Sequence, residues 1–190
     1  RNAILVNGVF PHDLIKLGSE LGIRIFHIST DGVFSKSASL CHEDSLQSCE
    51  DIYGKTKSIG EGFSPILLNI RCSIIGPSPF NKKGLIEWFL NHPTGAEISG
   101  YIDHIWNGVT SLQLTNLFYY IMKNDIFNII RKQSSVYHFS PNYPISKYNL
   151  LQLLHFAVDS FKNSISSFSL ISKSIRIPHL GEILLPDGAT

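Results

Sequence analysis

The sequence carries little charge of either sign and few residues of the kind that hold metals or cross-links. Lys and Arg number 16 against 15 Asp and Glu, the formal net charge is +1, and the basic residues do not cluster. This balance argues against a nucleic-acid partner. The three cysteines, Cys41, Cys49 and Cys72, form no C-x-x-C pair. Their spacing disfavours a zinc site or a disulfide framework and favours a reducing, cytoplasmic setting.

Long apolar runs are missing as well. No run of eighteen apolar residues occurs and no secretory signal opens the chain, so we expect a soluble protein with no membrane partner. The first residue is Arg1 rather than Met, and we expect the chain to lack its natural beginning. With 190 residues, 43% of them hydrophobic, the chain can bury the core of one large domain, or of one domain plus a lobe.

Two helix–strand units follow one another in the first part of the chain. Apolar spacing, a proline near the helix start and a glycine after its end define the first helix, and β-branched residues define the strands. The predicted elements are a helix at 11–21, a strand at 23–28, a helix at 53–63 and a strand at 66–71. A polar loop over residues 35–51 separates the two units. Alternating helices and strands are typical of a parallel α/β sheet.

The remainder of the chain has a different pattern and suits a smaller lobe. It contains predicted helices at 84–90, 110–122 and 146–161 and a predicted strand at 136–139. Thr110 and Gln113 have the spacing of a capping box at the start of the second of these helices. We therefore divide the chain into a sheet domain at 1–76, a substrate lobe with a returning sheet element at 77–175, and a tail at 176–190.

The most informative polar residues are Thr30, at the end of the first predicted strand, and Tyr53 and Lys57 on the next helix. Positions four apart share a helix face, so the ammonium of Lys57 can favour the phenolate of Tyr53 and ease proton transfer. A Tyr–Lys pair also arises by chance in many helices, and Ser29-Thr30-Asp31 by itself is compatible with a simple turn. Their order favours a site, because ligands of open α/β sheets bind where the strands end.

These residues belong to longer motifs that resemble a known family. The segments are Ser29-Thr30-Asp31-Gly32-Val33-Phe34, then Tyr53-Gly54-Lys55-Thr56-Lys57-Ser58-Ile59-Gly60-Glu61, and then Arg71-Cys72-Ser73-Ile74-Ile75-Gly76. In this order they resemble extended short-chain dehydrogenases of the dTDP-4-dehydrorhamnose reductase type. The resemblance implies an α/β fold with a doubly wound parallel NAD(P)-binding sheet and a smaller carboxyl-terminal substrate lobe.

The resemblance also implies roles for individual residues. The catalytic group comprises Thr30, Tyr53 and Lys57. The cofactor, NADP(H) with NAD(H) as the alternative, contacts Ser29, Tyr53, Lys57 and Cys72. The substrate, a nucleotide-linked sugar, contacts Thr30, Val33, Phe34, Ser73 and Ile74. For Phe34 and Ile74 a position in the core is the alternative, because each is an apolar residue next to a strand end. For Asn7 and Arg71 the alternatives stay open: Asn7 either supports the site or caps a helix, and Arg71 either meets a phosphate or forms an ion pair.

One family feature has no counterpart in this sequence. Members of the family open with a strand and a glycine-rich turn that receives the pyrophosphate, so the expected sheet is partial and lacks its first βαβ units. The leading functional hypothesis is NADP(H)-dependent reduction of a 4-keto sugar nucleotide in deoxysugar and polysaccharide synthesis, by a protein that forms a homodimer. The alternatives are a non-catalytic regulatory subunit that binds sugar nucleotide or NADP, and an inactive truncated remnant.

Overall fold

A three-stranded parallel sheet brings the candidate residues to one edge of the protein. In this computed structural model, which describes residues 2–35, 40–78, 80, 82–93 and 96–166 with side chains to residue 159, the strand order is β1-β2-β6. The strands are β1 (Ile25–Ser29), β2 (Leu67–Arg71), β3 (Ile74–Ile75), β4 (Ile105–Trp106), β5 (Val109–Thr110), β6 (Val136–His138) and β7 (Ile145–Ser146). The predicted tail at 176–190 lies outside the described residues.

The described residues form six α-helices. They are α1 (Phe10–Leu21), α2 (Ile52–Gly60), α3 (Leu85–Leu90), α4 (Ser111–Lys123), α5 (Phe127–Gln133) and α6 (Lys147–Ser166), and a π-helical segment (Ile4–Val9) runs into α1. No helix in the described part of the chain is long and apolar enough to cross a membrane.

The central strand β2 sets the register of its two neighbours. Ile25 of β1 lies beside Leu67, and the parallel pairing continues to Ser29 beside Arg71. On the other side of β2, Arg71 pairs with His138 of β6. Because all three strands run in the same direction, their carboxyl ends meet at one edge, with Ser29, Arg71 and His138 in one row.

The core lies between the sheet and helices α4 and α5. Phe26 of β1 stacks on Phe118 of α4 at 4.7 Å between ring centroids, and meets the edge of Phe127 of α5 at 5.4 Å. The buried members of this cluster are Leu68, Ile70, Cys72, Val109, Leu114, Ile121 and Phe127. The core cluster therefore includes the even-numbered positions of β2, while its odd-numbered positions face the side of α1 and α2.

The opposite face depends on a close approach of two helical segments. A Cβ built on Gly60 would lie 2.0 Å from the backbone oxygen of Asn7, and one built on Gly8 would lie 3.2 Å from Ile59. Side chains larger than hydrogen at position 60 would separate α2 from the π-helical segment. The glycines thus hold α2 beside the amino-terminal helical segments and over β1.

The chain divides into two units. The first comprises Arg1–Ala96 and Trp106–Pro144 and contains the three-stranded sheet; the second comprises Glu97–Ile105 and Ile145–Thr190. In the second unit the amide of Lys147 donates to the oxygen of His104 at 2.8 Å, and that of Tyr148 donates to Tyr101 at 3.1 Å. These bonds join the start of α6 to the segment before β4, which pairs with β7.

The predicted α/β class with a parallel sheet is confirmed, and most element bounds agree within two residues. The capping box between Thr110 and Gln113 is also present. Two helical features differ from expectation. We expected the first helix to begin at Pro11, but helical backbone also covers the preceding segment, Ile4–Val9. This segment was not predicted because it carries no proline or capping signal. Helix α5 was not predicted, because its seven residues span only two turns.

Candidate active site

Thr30 follows the last residue of β1 and leads into a 3-10 turn, Asp31–Val33. Its hydroxyl oxygen accepts a hydrogen bond from the amide of Gly32 at 3.1 Å, and the hydroxyl donates to Oδ1 of Asp31, also at 3.1 Å. Side-chain capping of this kind is characteristic of Ser and Thr at turn starts. The side chain of Thr30 is therefore buried and held in a defined orientation at the sheet edge.

Tyr53 and Lys57 lie on α2, whose start is capped by Asp51. The carboxylate of Asp51 accepts from the amide of Gly54 at 2.8 Å. A Cβ built on Gly54 would lie only 2.1 Å from the backbone oxygen of Gly32, so the absence of a side chain lets α2 approach the turn that follows Thr30. Gly54 was not predicted to have a role, although a glycine beside Tyr53 within a helix was the available signal.

The ammonium of Lys57 is anchored to the sheet. Its Nζ donates to the backbone oxygen of Ile28 at 2.6 Å, one helical turn after Tyr53. Burial lowers the pKa of Lys57 below its ordinary value, and the carboxylate of Glu61 opposes part of that shift. Tyr53 itself is 56% exposed.

Seven of the nine predicted site residues surround one cleft of about 520 Å³ at the carboxyl ends of β1 and β2. The lining comprises Ile28, Ser29, Thr30, Tyr53, Lys57, Cys72, Ser73 and Ile74. Ile28 was not predicted as a site residue, because an apolar residue inside a strand carries no polar signal in the sequence. The cleft lies wholly within the first unit.

Lys57 carries the positive charge of the cleft, and the lining residues Cys72, Ser73 and Ile74 are uncharged. Burial raises the pKa of Cys72 to about 11, with a further increase from Asp31, so its thiol is neutral near neutral pH. The hydroxyl of Ser73 accepts from the indole of Trp106 at 2.9 Å, and Ile74 presents an exposed apolar surface. Charge in the cleft therefore comes from Lys57, and the opposite wall is uncharged.

Val33 and Phe34 lie away from this cleft. Val33 is fully buried in the core beneath the turn. Phe34 packs under the guanidinium of Arg71, 5.2 Å from its ring centroid, and meets the ring of His138 at 5.6 Å. The 3-10 turn after Thr30 directs both side chains inward, a direction that the sequence motif did not indicate.

The sequence left two roles open for Asn7 and two for Arg71, and both residues have defined side-chain partners in the structure. The amide of Asn7 donates to the hydroxyl of Thr56 at 3.1 Å, and Thr56 donates to the backbone oxygen of Tyr53 at 3.0 Å. Asn7 thus supports the helix that carries Tyr53 and does not cap a helix start. Arg71 forms a buried ion pair with Glu61, with 2.7 Å between Nη2 and Oε2.

Solved structures share this fold. No protein-family model matches the chain, and no curated protein matches it. A dTDP-4-dehydrorhamnose reductase from Clostridium acetobutylicum superposes with a TM-score of 0.65 at 21% identity, over 80% of this chain and 53% of that chain. The enzyme of that name from Bacillus anthracis, solved in complex with NADP, gives 0.63 at 20% identity, over 80% and 54%.

A third structure extends the comparison to another nucleotide. The Bordetella bronchiseptica enzyme WbmG, in complex with NAD and UDP, gives a TM-score of 0.60 at 16% identity, over 82% of this chain and 50% of that chain. The chain thus spans about half the length of the structures it matches. At these identities the likeness establishes the fold, a Rossmann-type α/β sheet. Within that class, the fold of this chain matches about half of each of the two dTDP-4-dehydrorhamnose reductase structures.

Proposed function

We propose that this chain carries the catalytic part of an NADP(H)-dependent reductase that acts on a nucleotide-linked 4-keto sugar, in deoxysugar synthesis for a polysaccharide. The observation that carries the proposal is the convergence of Thr30, Tyr53 and Lys57 on one cleft. That cleft lies where the parallel strands end, the usual position of ligands in open α/β sheets. The names of the matched structures support the choice of a sugar-nucleotide substrate.

Proton transfer falls to Tyr53 in this proposal. Lys57 lies one helical turn away, and its positive charge stabilises the negative charge that forms on the Tyr53 oxygen as the proton leaves. During reduction Tyr53 gives its proton to the carbonyl oxygen, and during oxidation it takes the proton back. Thr30 donates to the same oxygen once its hydroxyl hydrogen turns from Asp31 toward the substrate.

The residues of the cleft fit the nicotinamide end of a dinucleotide. Lys57 uses one of its three donors on Ile28, so two remain for a pair of ribose hydroxyls. Ser29 and Cys72 complete an uncharged wall beside it. When bound, the dinucleotide supplies the hydride that adds to the carbonyl carbon; NAD(H) is the alternative to NADP(H).

The substrate side of the cleft is formed by Ser73 and Ile74. Ile74 is partly exposed and offers an apolar surface to one face of a sugar ring, while the hydroxyl of Ser73 is oriented by Trp106. Neither residue carries an acid or base. An assignment as a simple reductase, which needs only Tyr53 as acid, therefore suits the cleft better than a dehydratase.

The test is turnover by the natural polypeptide that contains these residues. Loss of NADPH absorbance in the presence of a 4-keto sugar nucleotide is expected, and Tyr53→Phe should reduce the rate at least about a hundredfold, the usual scale for a general acid. Lys57→Met should reduce it as well. Lys55→Met is the matched control, because Lys55 is exposed on the same helix and should leave the rate unchanged.

Three outcomes separate the hypotheses. An unchanged rate in Tyr53→Phe would refute the acid role of that residue. Binding of NADPH without turnover on any keto sugar nucleotide would favour a regulatory binding subunit. Absence of both binding and turnover would support an inactive remnant.

A further inference from the structure

A buried ion pair beneath the candidate cleft joins elements that are distant in the sequence. Glu61 follows α2 and Arg71 ends β2, and their side chains are only 4% and 3% exposed. The contact is bidentate: Nε donates to Oε1 at 2.8 Å and Nη2 donates to Oε2 at 2.7 Å. Such fork geometry fixes orientation as well as distance.

Both carboxylate oxygens of Glu61 and the third nitrogen of Arg71 make further hydrogen bonds. Glu61 accepts from the hydroxyl of Ser29 at 2.5 Å and from the amide of Gln47 at 2.7 Å. Nη1 of Arg71 donates to the backbone oxygen of Glu43 at 3.0 Å and to Nε2 of His138 at 3.3 Å. We call these six residues the Glu61 network. It connects the ends of β1, β2 and β6, the end of α2 and the loop before α2.

This burial and these partners exclude a phosphate-binding role for Arg71. Each of its nitrogens already has a protein acceptor, and the guanidinium does not reach solvent. Burial alone raises the pKa of Glu61, but the hydrogen bonds from Arg71 and Ser29 outweigh it, so the pKa is below its ordinary value. The carboxylate is therefore charged and permanently paired.

Stability alone does not account for such a pair. Removing two charges from water costs free energy that their attraction often fails to recover, and apolar pairs of similar volume are frequently as stable. What the pair supplies beyond an apolar contact is a fixed direction for its hydrogen bonds. Those bonds lead to the strand end that carries Thr30.

Two contacts attach α2 to consecutive residues of β1. Lys57 holds the backbone oxygen of Ile28, and Glu61 holds the hydroxyl of Ser29. Thr30 is the next residue, and Tyr53 is on the same helix as Lys57. The relative position of the Thr30 hydroxyl and the Tyr53 phenol is thus set by these two contacts, of which Arg71 stabilises the second.

We propose that Glu61, held by Arg71, is a positioning residue that sets the Thr30 hydroxyl against the Tyr53 phenol. The inference rests on the proposed reductase function and deepens it. Neither Glu61 nor Arg71 touches substrate or cofactor; both act through Ser29 and the end of α2.

The test replaces the pair by apolar groups, because a single substitution would leave one buried charge without its partner and unfold the protein. In Glu61→Leu/Arg71→Met we expect a folded protein whose kcat falls about tenfold or more, the scale of a small misplacement of reacting groups. KM for the keto sugar should change by less than about threefold, because substrate contacts are retained. Arg24→Met/Asp125→Asn is the matched control: it removes an ion pair that is exposed, and should leave both constants unchanged.

A double-mutant cycle separates positioning from a general structural effect. If the network positions Thr30, Thr30→Ala should reduce kcat by a smaller factor in the Glu61→Leu/Arg71→Met protein than in the natural protein. Equal factors in the two backgrounds would overturn the inference, as would an unchanged kcat in the paired variant.

A second test of the positioning role does not depend on turnover. If the natural protein turns over no keto sugar, amide hydrogen exchange at Gly32 decides, because this amide donates to Thr30. Faster exchange in the paired variant and not in Arg24→Met/Asp125→Asn would support control of the Thr30 turn by the network. Equal exchange in the two variants would refute it.

Discussion

Gly54 illustrates how a single missing side chain shapes the candidate site. The hypothetical Cβ at 2.1 Å from the oxygen of Gly32 would collide with backbone, which has little freedom to move. Replacing an exposed helical glycine by alanine normally raises the free energy of unfolding by about 0.5–1 kcal/mol. At Gly54 the same replacement should lower it.

We therefore expect Gly54→Ala to lower the free energy of unfolding by about 1–3 kcal/mol, the range for forced overpacking. Chemical denaturation measures the change, and Lys55→Ala, exposed on the same helix, should stay within about 0.5 kcal/mol of the natural protein. A more stable Gly54→Ala protein would contradict the close approach of α2 to the Thr30 turn.

The site could be predicted from sequence where side-chain chemistry and helical spacing act together. Tyr53 and Lys57 are one turn apart in any helix and Thr30 follows a strand end, and the order of these motifs together with the family resemblance placed the three residues in one site. The positions of the Val33 and Phe34 side chains, in contrast, depend on the direction of the turn after Thr30. That direction depends on the hydroxyl of Thr30 capping Gly32, a local hydrogen bond that no residue spacing specifies.

At the scale of elements, β1 and β2 are joined by a polar pair inside the sheet. Nδ1 of His27 lies 2.9 Å from Oδ1 of Asn69, whose amide group donates to the oxygens of Gly62 and Ser135. Since Oδ1 can only accept, the His27 ring donates from Nδ1. Burial lowers the pKa of His27, although the bond to Asn69 raises it in part.

This depressed pKa makes the sheet sensitive to acid. The unfolded chain binds the proton more readily than the folded protein, so the contribution of neutral His27 is complete above the ordinary value near 6.5 and is lost as the pH falls below it. The free energy of unfolding should decline as the pH falls below about 6.5, by at most about 1.4 kcal/mol per pH unit for this one proton.

Denaturation curves across that pH range measure the slope. His27→Gln should flatten it, because a neutral amide can still donate to Asn69 and does not titrate. His155→Gln is the control, because His155 is exposed on α6 and lies outside the sheet. An equally steep slope in His27→Gln would assign the acid sensitivity to other groups, among them His138, whose pKa burial also lowers.

Element types could be predicted better than element ends. Apolar spacing and a glycine stop located α1, and β-branched residues located β1 and β2, of which β2 is buried at all five positions. Helix α5 escaped prediction because it is short and begins after Asp125, a non-glycine residue with a φ of 48°. Backbone of that kind is uncommon outside glycine and has no reliable signature in sequence.

At the scale of the whole molecule, the core of the first unit depends on few large side chains. Phe127 is 2% exposed and contacts the ring of Phe26 between β1 and α5. Phe127→Ala should lower the free energy of unfolding by about 3–5 kcal/mol, the usual cost of deleting a buried aromatic ring. Phe80→Ala, at 96% exposure, should change it by less than about 0.5 kcal/mol.

Calorimetry or denaturant titration can compare the two proteins with the natural one. A similar loss of stability in both variants would indicate that the core extends beyond the cluster around Phe127.

The parallel sheet itself was predictable, since helices and strands alternate. The place of β6 beside β2 was not fully specified, because its pairing depends on a contact between residues 69 and 136 that are distant in sequence.

The bond between Lys57 and the backbone of Ile28 has a consequence for how a ligand would be received. A flexible ammonium in water must be dehydrated and oriented each time it acts, whereas this one is already held by a main-chain carbonyl that no side-chain substitution removes. The position of this positive charge in the cleft is therefore fixed by the folded backbone. This charge therefore needs little reorganisation when a ligand enters the cleft, and fixed charges accelerate reactions most under that condition.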